Sequence, residues 1–342
     1  MKVTIRDVAR RAGVSPATVS RVLNKPELVE PETKERVRGA IEELDFQPSA
    51  IARGLSVQRT DTIGLVVPGI TDLFFGELYR GIDRASHESG MKVLLFDAQH
   101  ARHRAFEGFT FLRQHRVGGI IFTSKVVSED YDPVLERIGI PVVLALTEAT
   151  GRTALPAFKV DDVKAVFDAV AYLVSRGHTR VGMITGDMSD DLTGDLRLQG
   201  YRAGLEHYGI PYQSNWVETG DYRFTTGYQA MRRLLEHQDQ NQLTAVCAAS
   251  DEMAIGAIRC LHDHGLKVPD DFSVMGFDDL GVAHMTVPAL TTIAQPFAEI
   301  GERAVQQLVQ MIADDTIHAS GTYYLPHRIV ERESVRALSD LR

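Results

Sequence analysis

Four side chains near the start of the chain have the type and spacing needed to contact DNA bases. They are Pro16, Ala17, Ser20 and Arg21. In the same stretch, Val19, Val22 and Leu23 follow a helical period and form an apolar side, which leaves the four on the outer side near the helix N-terminus. The N-terminal residues of a recognition helix are the ones that reach base edges in a major groove. The pattern therefore predicts a helix that contacts DNA.

Residues 3–24, VTIRDVARRAGVSPATVSRVLN, predict the elements that would hold this helix in place. We expect Thr4 to cap a first helix, with Asp7 three residues later in a conservative form of the capping box. Gly13 can adopt the left-handed conformation that ends this helix, and Ser15 can cap a second helix that begins at Pro16. A helix-turn-helix has this pattern, and so does a helical hairpin from any small domain.

A third helix and a short linker follow. Pro31 opens a helix with Val37, Ile41 and Leu44 at helical spacing. Residues 46–60, FQPSAIARGLSVQRT, could form two helical turns, which are too few to be stable alone in water. One interpretation is a flexible linker. The other is a linker that folds on DNA, with Leu55 inserted in the minor groove and Ala52 close to a partner helix.

The charge of the chain is unevenly distributed. The 342 residues carry a net charge of −9, but residues 1–60 hold eleven Lys and Arg against eight Asp and Glu, a net of +3 that leaves −12 for the rest. A basic head on an acidic body fits a protein that contacts DNA at one end. The start of the chain lacks a signal-peptide pattern, no apolar run reaches a membrane span, and only two cysteines occur, so we expect a cytoplasmic protein.

From residue 62 onward, apolar runs alternate with amphipathic stretches. The predicted strands are 62–67, 91–98, 118–124, 141–146, 157–162, 180–186, 243–250 and 272–279. Repeated βα units of this length predict an α/β fold with doubly wound parallel sheets. An internal repeat relates TIGLVVPGITDLFFGELYRGIDRAS to RVGMITGDMSDDLTGDLRLQGYRAGL, which predicts two similar subdomains.

The two stretches VTIRDVARRAGVSPATVSRVLN and FQPSAIARGL, in this order and spacing, resemble the LacI/GalR family of bacterial transcription regulators. The resemblance covers nearly the whole chain and is strongest to the catabolite control protein and the purine and ribose repressor branches. It implies a sequence-specific repressor that binds a pseudo-palindromic operator as a homodimer and responds to a small molecule, with a sugar as the expected class. Glu30 departs from the family, which often has Ser there, and we expect an effect on helix capping only.

The resemblance also implies ten DNA-binding residues. They are Thr4, Ser15, Pro16, Ala17, Thr18, Ser20, Arg21, Asn24, Ala52 and Leu55. Among them, Pro16, Ala17 and Arg21 would face the bases, and Arg21 could bind a guanine with two hydrogen bonds. The four that would position phosphates are Thr4, Ser15, Thr18 and Asn24. Leu55 would be the hinge leucine that enters the minor groove.

The family architecture implies a helix-turn-helix head, a hinge helix and two subdomains like those of periplasmic binding proteins. The expected boundaries are 1–46 for the head, 47–60 for the hinge, 61–160 with 292–321 for the N-terminal effector subdomain, and 161–291 with 322–339 for the C-terminal one. The chain would cross between the subdomains near 158–161, 291–295 and 322–326. The end of the chain shows no leucine heptads, so we expect a dimer rather than a tetramer.

The cleft between the subdomains is the expected effector site, because ligands in such sheets bind beyond the carboxyl ends of the strands. By the resemblance, the effector-binding residues are Phe74, Phe75, Asp161, Arg197, Tyr222, Asp251 and Asp278. Aromatic faces and charged planar groups of this kind suit a sugar. Two alternatives stay open: Asp251 could cap the helix that follows it, and one of the two phenylalanines is expected in the core.

Other classes of function fit the sequence less well than a DNA-binding regulator. The chain shows no GxGxxG, P-loop, GxSxG or HExxH motif, so we expect neither an enzyme nor a cofactor. His262 and His264 do not share a helix face, so no metal site is expected. A stand-alone sugar-binding protein would leave the basic head without a role. A corepressor that is a phosphorylated carrier protein is an alternative, but Ala298 and Gln306 stand where that branch of the family has Tyr and Arg. Acidic residues 187, 190, 191 and 195 would disfavour an anionic effector if they line the cleft.

Overall fold

The computed structural model describes residues 3–24, 26–46, 60–123, 127–187, 192–314 and 316–338, without the side chains of Asn24, Glu27, Leu192 and Asn241. The chain divides into two compact units, residues 1–60 and residues 61–342.

The described residues of the first unit form three α-helices, α1 (Ile5–Ala12), α2 (Pro16–Asn24) and α3 (Pro31–Glu43). At the start of α1, the backbone N–H and the hydroxyl of Thr4 both donate to the Asp7 carboxylate, at 3.0 and 2.6 Å. Gly13 ends α1 with φ of 67°. The Ser15 Oγ accepts a hydrogen bond from the Thr18 N–H at 3.1 Å, which caps α2. These local signals confirm the predicted helix starts.

The core of this unit is small and is built from one side of each helix. Its buried members are Val8, Ala9, Ala12, Val19, Val22, Val37 and Ala40. An ion pair between Arg11 and Glu43, 2.6 Å apart, joins α1 to α3 at the surface. Glu30 precedes α3 without a side-chain cap, so Pro31 supplies the start of that helix.

The second unit contains two lobes, each built on a six-stranded sheet. The sheet of lobe 1 contains β1 (Thr62–Val67), β2 (Lys92–Asp97), β3 (Ile120–Phe122), β4 (Val142–Ala145), β5 (Pro156–Val160) and β11 (Gly321–Leu325). All strands are parallel, in the order β11-β5-β4-β3-β1-β2. Its helices are α4 (Phe75–Glu88), α5 (Arg102–Gln114), α6 (Asp132–Ile138) and α12 (Phe297–Ala313).

Lobe 2 repeats this plan with one antiparallel edge strand. Its sheet contains β6 (Val181–Thr185), β7 (Val217–Thr219), β8 (Ala245–Ala248), β9 (Ser273–Asp278), β10 (Thr291–Ala294) and β12 (Arg328–Val330). The order is β12-β10-β9-β8-β6-β7, and β12 runs antiparallel to β10. Its helices are α7 (Asp162–Ser175), α8 (Leu192–His207), α9 (Phe224–Glu236), α10 (Gln238–Asn241) and α11 (Asp251–Asp263). Within the described ranges, no helix is long and apolar enough to cross a membrane.

The chain passes between the lobes three times. It leaves lobe 1 between β5 and α7, returns between β10 and α12, and leaves again between β11 and β12. Two of the expected subdomain boundaries differ from this arrangement. Strand β10 pairs with β9 in lobe 2, although the predicted boundary assigned residues from 292 to the N-terminal subdomain. Strand β11 pairs with β5 in lobe 1, although residues from 322 were assigned to the C-terminal one.

The internal repeat has a packing reason. The Arg-Gly-Ile of the first copy and the Gln-Gly-Tyr of the second place a glycine where two helices touch. A Cβ on Gly81 in α4 would lie 1.8 Å from the Ala298 carbonyl oxygen of α12. A Cβ on Gly200 in α8 would lie 2.3 Å from the Val163 carbonyl oxygen of α7. Each lobe therefore needs glycine at the equivalent helix-helix contact.

Candidate functional site

The outer face of α2 is the first candidate site. Pro16, Ala17 and Arg21 are exposed there, and Thr18 and Ser20 are half-buried. Ser15 and Thr4 are exposed at the N-termini of α2 and α1, where backbone N–H groups favour an anion. Asn24 is the last residue of α2, and its side chain lies outside the described residues, as do Ala52 and Leu55.

The cleft between the lobes is the second candidate site. It lies beyond the carboxyl ends of the strands and contains about 900 Å³ of space, part of it open to solvent. Four of the seven predicted effector residues line it. They are Phe74, Arg197, Tyr222 and Asp278. Side chains from both lobes face this space, so a molecule bound there would touch both.

The other three predicted effector residues do not line the cleft. Phe75 packs instead against Tyr79 in lobe 1, with ring centroids 5.6 Å apart. The Asp161 carboxylate turns back to accept a hydrogen bond from the Lys164 N–H at 2.9 Å and caps α7. Its neighbour Asp162 lines the cleft in its place.

Asp251 is fully buried and has a structural role. Its carboxylate accepts hydrogen bonds from the Leu280 N–H at 2.7 Å and from the Thr292 hydroxyl at 2.5 Å, which join α11 to two other segments of lobe 2. Burial raises the pKa of Asp251 well above its usual value. The cap of α11 is Ser250, so Asp251 is not the capping residue either.

Arg197 is held rigidly at the wall of the cleft. Its Nε donates to the Asp162 carboxylate at 2.8 Å, a second N–H donates to the Ala249 carbonyl, and its guanidinium lies 3.7 Å above the centroid of the Phe277 ring. Burial opposes its charge, but the charges of Asp162 and Asp278 raise the pKa of Arg197 above its usual range. A guanidinium has five N–H donors, so further donors can turn to a ligand.

Asp278 is the acidic counterpart of Arg197. Its Oδ1 accepts a hydrogen bond from the Gln295 amide at 2.7 Å. Burial raises the pKa of Asp278 to about 6, against the lowering effects of Arg197 and Gln295. Its φ of 122°, like the φ of 69° at Tyr222, is a strained conformation for a residue other than glycine. Such strain is concentrated at ligand sites, where surrounding contacts compensate for it.

Aromatic rings form the apolar walls. Phe74 of lobe 1 stacks on Phe297 at the start of α12, with centroids 5.9 Å apart and planes 19° apart. Tyr222 lies on the other lobe, with its ring 6.0 Å from the guanidinium of Arg197. A ring-shaped ligand with polar edges can therefore meet flat apolar surfaces and charged groups in the same cleft.

Three cleft residues that sequence analysis missed join the lobes directly. Asp72 and His100 belong to lobe 1, and Arg223 belongs to lobe 2. The Arg223 guanidinium lies 2.5 Å from the Asp72 carboxylate and 3.2 Å from Nε2 of His100. Burial would raise the pKa of Asp72, but His100 and Arg223 bring it below its usual value. These residues are far apart in the sequence, and no local motif signalled them.

A second missed group is Lys159, which is 2% exposed. Its Nζ lies 3.1 Å from the Asp162 carboxylate and 3.5 Å from that of Glu148. Buried charged side chains are paired in this way in folded proteins. The two described residues of the acidic loop, Asp187 and Asp195, do not line the cleft. Asp187 is half-buried, and Asp195 is exposed and accepts a hydrogen bond from the Gln199 amide. Residues 190 and 191 lie outside the described residues.

Comparisons with known proteins match both the N-terminal unit and the lobes that follow it. Residues 4–49 match the bacterial regulatory proteins of the lacI family, and residues 170–335 match a periplasmic binding protein-like domain. Catabolite control protein A of Priestia megaterium is 35% identical over 337 residues, which cover 98% of this chain and 100% of that protein.

Solved structures match over nearly the full length as well. A complex of the transcriptional regulator CelR with cellobiose is 31% identical, with a TM-score of 0.74 and coverage of 97% of this chain and 100% of the other. The lac repressor dimer bound to operator and the anti-inducer ONPF is 26% identical, with a TM-score of 0.87 and coverage of 98% and 100%.

Proposed function

Because the chain belongs to the LacI family of bacterial regulatory proteins, we propose that it is a ligand-responsive repressor of transcription. It binds a pseudo-palindromic operator as a homodimer, with half-sites about one helical turn apart. An uncharged sugar in the cleft changes its affinity for the operator. The protein works in the cytoplasm, where bacterial DNA lies, and acts by binding rather than by catalysis.

The observation that best supports the effector site is that Arg197 and Asp278, two buried side chains of opposite charge, line the same cleft as aromatic rings. Both side chains are more than nine-tenths buried, yet both line a cleft that reaches solvent. Burying two charged groups costs desolvation free energy, and contacts with a bound ligand can offset this cost. Phe74 and Tyr222 supply the ring faces that a sugar needs.

The charge of the cleft favours a neutral effector. Its lining contains five acidic residues, Asp72, Asp162, Asp221, Glu252 and Asp278, and three basic residues, Lys159, Arg197 and Arg223. The basic groups lie next to acidic ones, and the acids are in excess. An anionic sugar phosphate would be repelled here, whereas hydroxyl groups can bond to both signs of charge.

The same argument disfavours a phosphorylated carrier protein as corepressor. Ala298 and Gln306 line a groove on lobe 1 between α4 and α12. Four acidic residues line this groove against two arginines. Both arginines are paired within it, Arg84 with Glu302 and Arg303 with Glu299. No described side chain of this groove offers an unpaired positive charge to a phosphate.

On the DNA side, the exposed face of α2 supports contact with base edges. Arg21 projects from this face near the exposed Pro16 and Ala17, and an arginine in the major groove can bind guanine with two hydrogen bonds. The roles proposed for Ala52 and Leu55 in the hinge rest on the sequence resemblance and stay predictions.

The test is a screen for small molecules followed by a DNA-binding assay. The purified protein is heated with a panel of mono- and disaccharides, sugar acids, purines and nucleosides. A ligand at about 100 times its Kd should stabilise the folded state by about 2.7 kcal/mol. Duplexes recovered by in vitro selection then report, by fluorescence anisotropy, whether the stabilising compound changes the affinity for DNA.

Arg197→Ala should abolish both the stabilisation and the change in DNA affinity. Arg202→Ala is the matched control, because Arg202 is an exposed residue on the same helix α8. A protein that selects no duplex would contradict the proposed function. Stabilisation that persists in Arg197→Ala would contradict the proposed site, and stabilisation only by anionic compounds would contradict the neutral effector.

A further inference from the structure

A chain of ionic and hydrogen bonds, buried at its cleft end and partly buried at its other end, runs from the cleft to the segments where the polypeptide crosses between lobes. Its members are Arg197, Asp162, Lys159, Glu148 and Thr322. The Asp162 carboxylate accepts from Nε of Arg197 at 2.8 Å through one oxygen and lies 3.1 Å from Nζ of Lys159 through the other. Lys159 in turn lies 3.5 Å from Glu148, whose second oxygen accepts from the Thr322 hydroxyl at 2.7 Å.

These five residues span two of the three crossings. Lys159 is on β5 in lobe 1, and Asp162 begins α7 in lobe 2, so their ion pair brackets the first crossing. Thr322 is on β11, which leads into the third crossing. The second crossing has its own bond to the cleft, because Gln295 follows β10 and donates to Asp278 at 2.7 Å. The first two crossings are thus bonded to acids that line the effector site, Asp162 and Asp278, and the third is bonded to Glu148, which joins the first through Lys159.

We infer that this chain of contacts, which we call the crossing network, couples the effector site to the angle between the lobes. Lys159 and Glu148 act as positioning residues in it. The inference rests on the proposed function, because it concerns how that effector site communicates with the rest of the protein.

The physical reason is the cost of leaving a buried charge unpaired. Lys159, Asp162 and Arg197 are 2%, 3% and 5% exposed. If the lobes rotate about the crossings, Lys159 cannot keep the same distances to Asp162 in lobe 2 and to Glu148 in lobe 1. Breaking either pair leaves a charge in a poorly solvated place, which is strongly unfavourable. The network therefore restrains the lobe angle.

The same bonds link that restraint to the effector. Asp162 divides its two oxygens between Arg197 and Lys159, so a ligand that draws Arg197 towards itself weakens or reorients the contact with Lys159. A ligand shifts an equilibrium only through contacts that differ between its states. The crossing network provides such a contact, because its bonds depend on both the ligand-binding arginine and the lobe angle.

The experiment measures the lobe angle directly and needs neither effector nor DNA. Spin labels are attached to cysteines introduced as Glu88→Cys in lobe 1 and Glu206→Cys in lobe 2, both of which are exposed. The two native cysteines are buried. Electron spin resonance gives the distribution of label distances, with excess unlabelled protein added to suppress distances between protomers.

Thr322→Val removes the hydroxyl at nearly constant volume, and we expect it to shift and broaden the distance distribution. Thr322→Ser keeps the hydroxyl and should restore the parent distribution, which a change in packing alone would not do. The paired change Lys159→Met with Glu148→Gln removes two opposite charges together and should shift the distribution further. Thr110→Val is the control, because Thr110 is exposed and its hydroxyl donates to the Phe106 carbonyl of the same helix α5.

If the folded Thr322→Val protein and the folded double variant both keep the parent distribution, the inference is wrong. The inference is also wrong if Thr322→Ser shifts the distribution as much as Thr322→Val does. The labelled parent protein is also tested for binding to selected duplexes. A parent that fails to bind DNA would contradict the proposed function, whatever the label distances show, so the two failures are distinguishable.

Discussion

Asp278 is a charged group at a place where its own ionisation is unfavourable. Its side chain is 8% exposed, and burial raises its pKa to about 6 from the usual 3.8. A group whose pKa is higher in the folded state contributes stability below the unfolded pKa, and this contribution is lost as the pH rises through the folded pKa. The ionised carboxylate therefore lowers the stability of the folded protein at neutral pH.

We expect Asp278→Asn to raise the free energy of unfolding at pH about 8 by up to about 3 kcal/mol, the value that corresponds to this pKa shift. The difference should shrink as the pH falls through about 6 and vanish only below about pH 3, where the carboxyl is neutral in both the folded and the unfolded protein. Denaturant unfolding of the parent and the variant across this pH range measures it. The variant should gain stability while losing its effector, as expected for a residue kept for function.

Asp132→Asn provides the control of opposite sign. The Asp132 carboxylate accepts hydrogen bonds from the N–H groups of Arg152 and Thr153 at 2.9 Å, and bonds with Thr153 and Arg152 lower the pKa of Asp132 to about 2. Its stabilising contribution is present above the unfolded pKa and is lost as the pH falls. Asp132→Asn should therefore be less stable than the parent at neutral pH. An Asp278→Asn protein that shows this same direction would contradict the argument.

At the residue scale, the sequence predicted the kinds of side chain that line the cleft better than the individual residues that line it. Asp161 and Asp162 are adjacent acids after the same strand, and only the turn of the backbone decides which one caps α7 and which one meets Arg197. Asp72 and Arg223 come together from positions 151 residues apart. Such a contact depends on how the lobes face each other, which no local pattern encodes.

At the element scale, the continuous apolar runs were sufficient for most strands. The predicted strand at 62–67 has the observed bounds of β1, and the other predicted runs contain their strands or, for β5, overlap it with a one-residue earlier start. Strand β7 was missed because Val217–Thr219 is only three residues long and is not buried. Strands β10, β11 and β12 were not predicted either. The predicted boundaries at 292 and 322 assigned residues of β10 and β11 to the wrong lobe, since pairing partners far along the chain determine the sheet to which a strand belongs.

The start of α2 depends on a single side-chain cap, which can be tested by substitution. Ser15 Oγ accepts from the Thr18 N–H, and the described part of the head has a core of seven buried apolar residues. Loss of such a cap costs about 1 kcal/mol. We expect Ser15→Ala to speed hydrogen exchange of the α2 amides about fivefold, which corresponds to that energy. Mass spectrometry of the full-length protein measures the exchange.

Ser15→Asn keeps a side-chain oxygen that can cap the helix, so its exchange rate should stay close to that of the parent. The amides of lobes 1 and 2 provide an internal reference, because the cap lies in the separate first unit. Equal acceleration in Ser15→Ala and Ser15→Asn would show that the serine hydroxyl does not act as a cap.

At the scale of the whole effector-binding unit, the lobes are connected by the three crossings and by a bridge of Arg223 with Asp72 and His100. Arg223 is a third exposed, and Asp72 is 8% exposed, so this bridge lies partly in solvent and salt can weaken it. The bridge spans the cleft itself. The strength of this bridge therefore affects how tightly the lobes close, whereas the crossing network restrains the angle between the lobes.

We expect Arg223→Met to broaden and shift the distance distribution between labels at positions 88 and 206. Among the described residues of lobe 2, Arg223 is the one that forms an ion pair with Asp72, and the variant loses this pair. High salt should move the parent protein towards the same distribution and should leave the variant nearly unchanged. Arg232→Met is the control, since Arg232 pairs with Glu236 on its own helix α9. If the parent distribution responds to salt no more than that of the variant, the bridge does not hold the lobes closed.

When Arg223→Met is combined with Thr322→Val, the two shifts should add if the bridge and the crossing network act independently. A combined shift smaller than the sum would show that both act on one and the same closing motion.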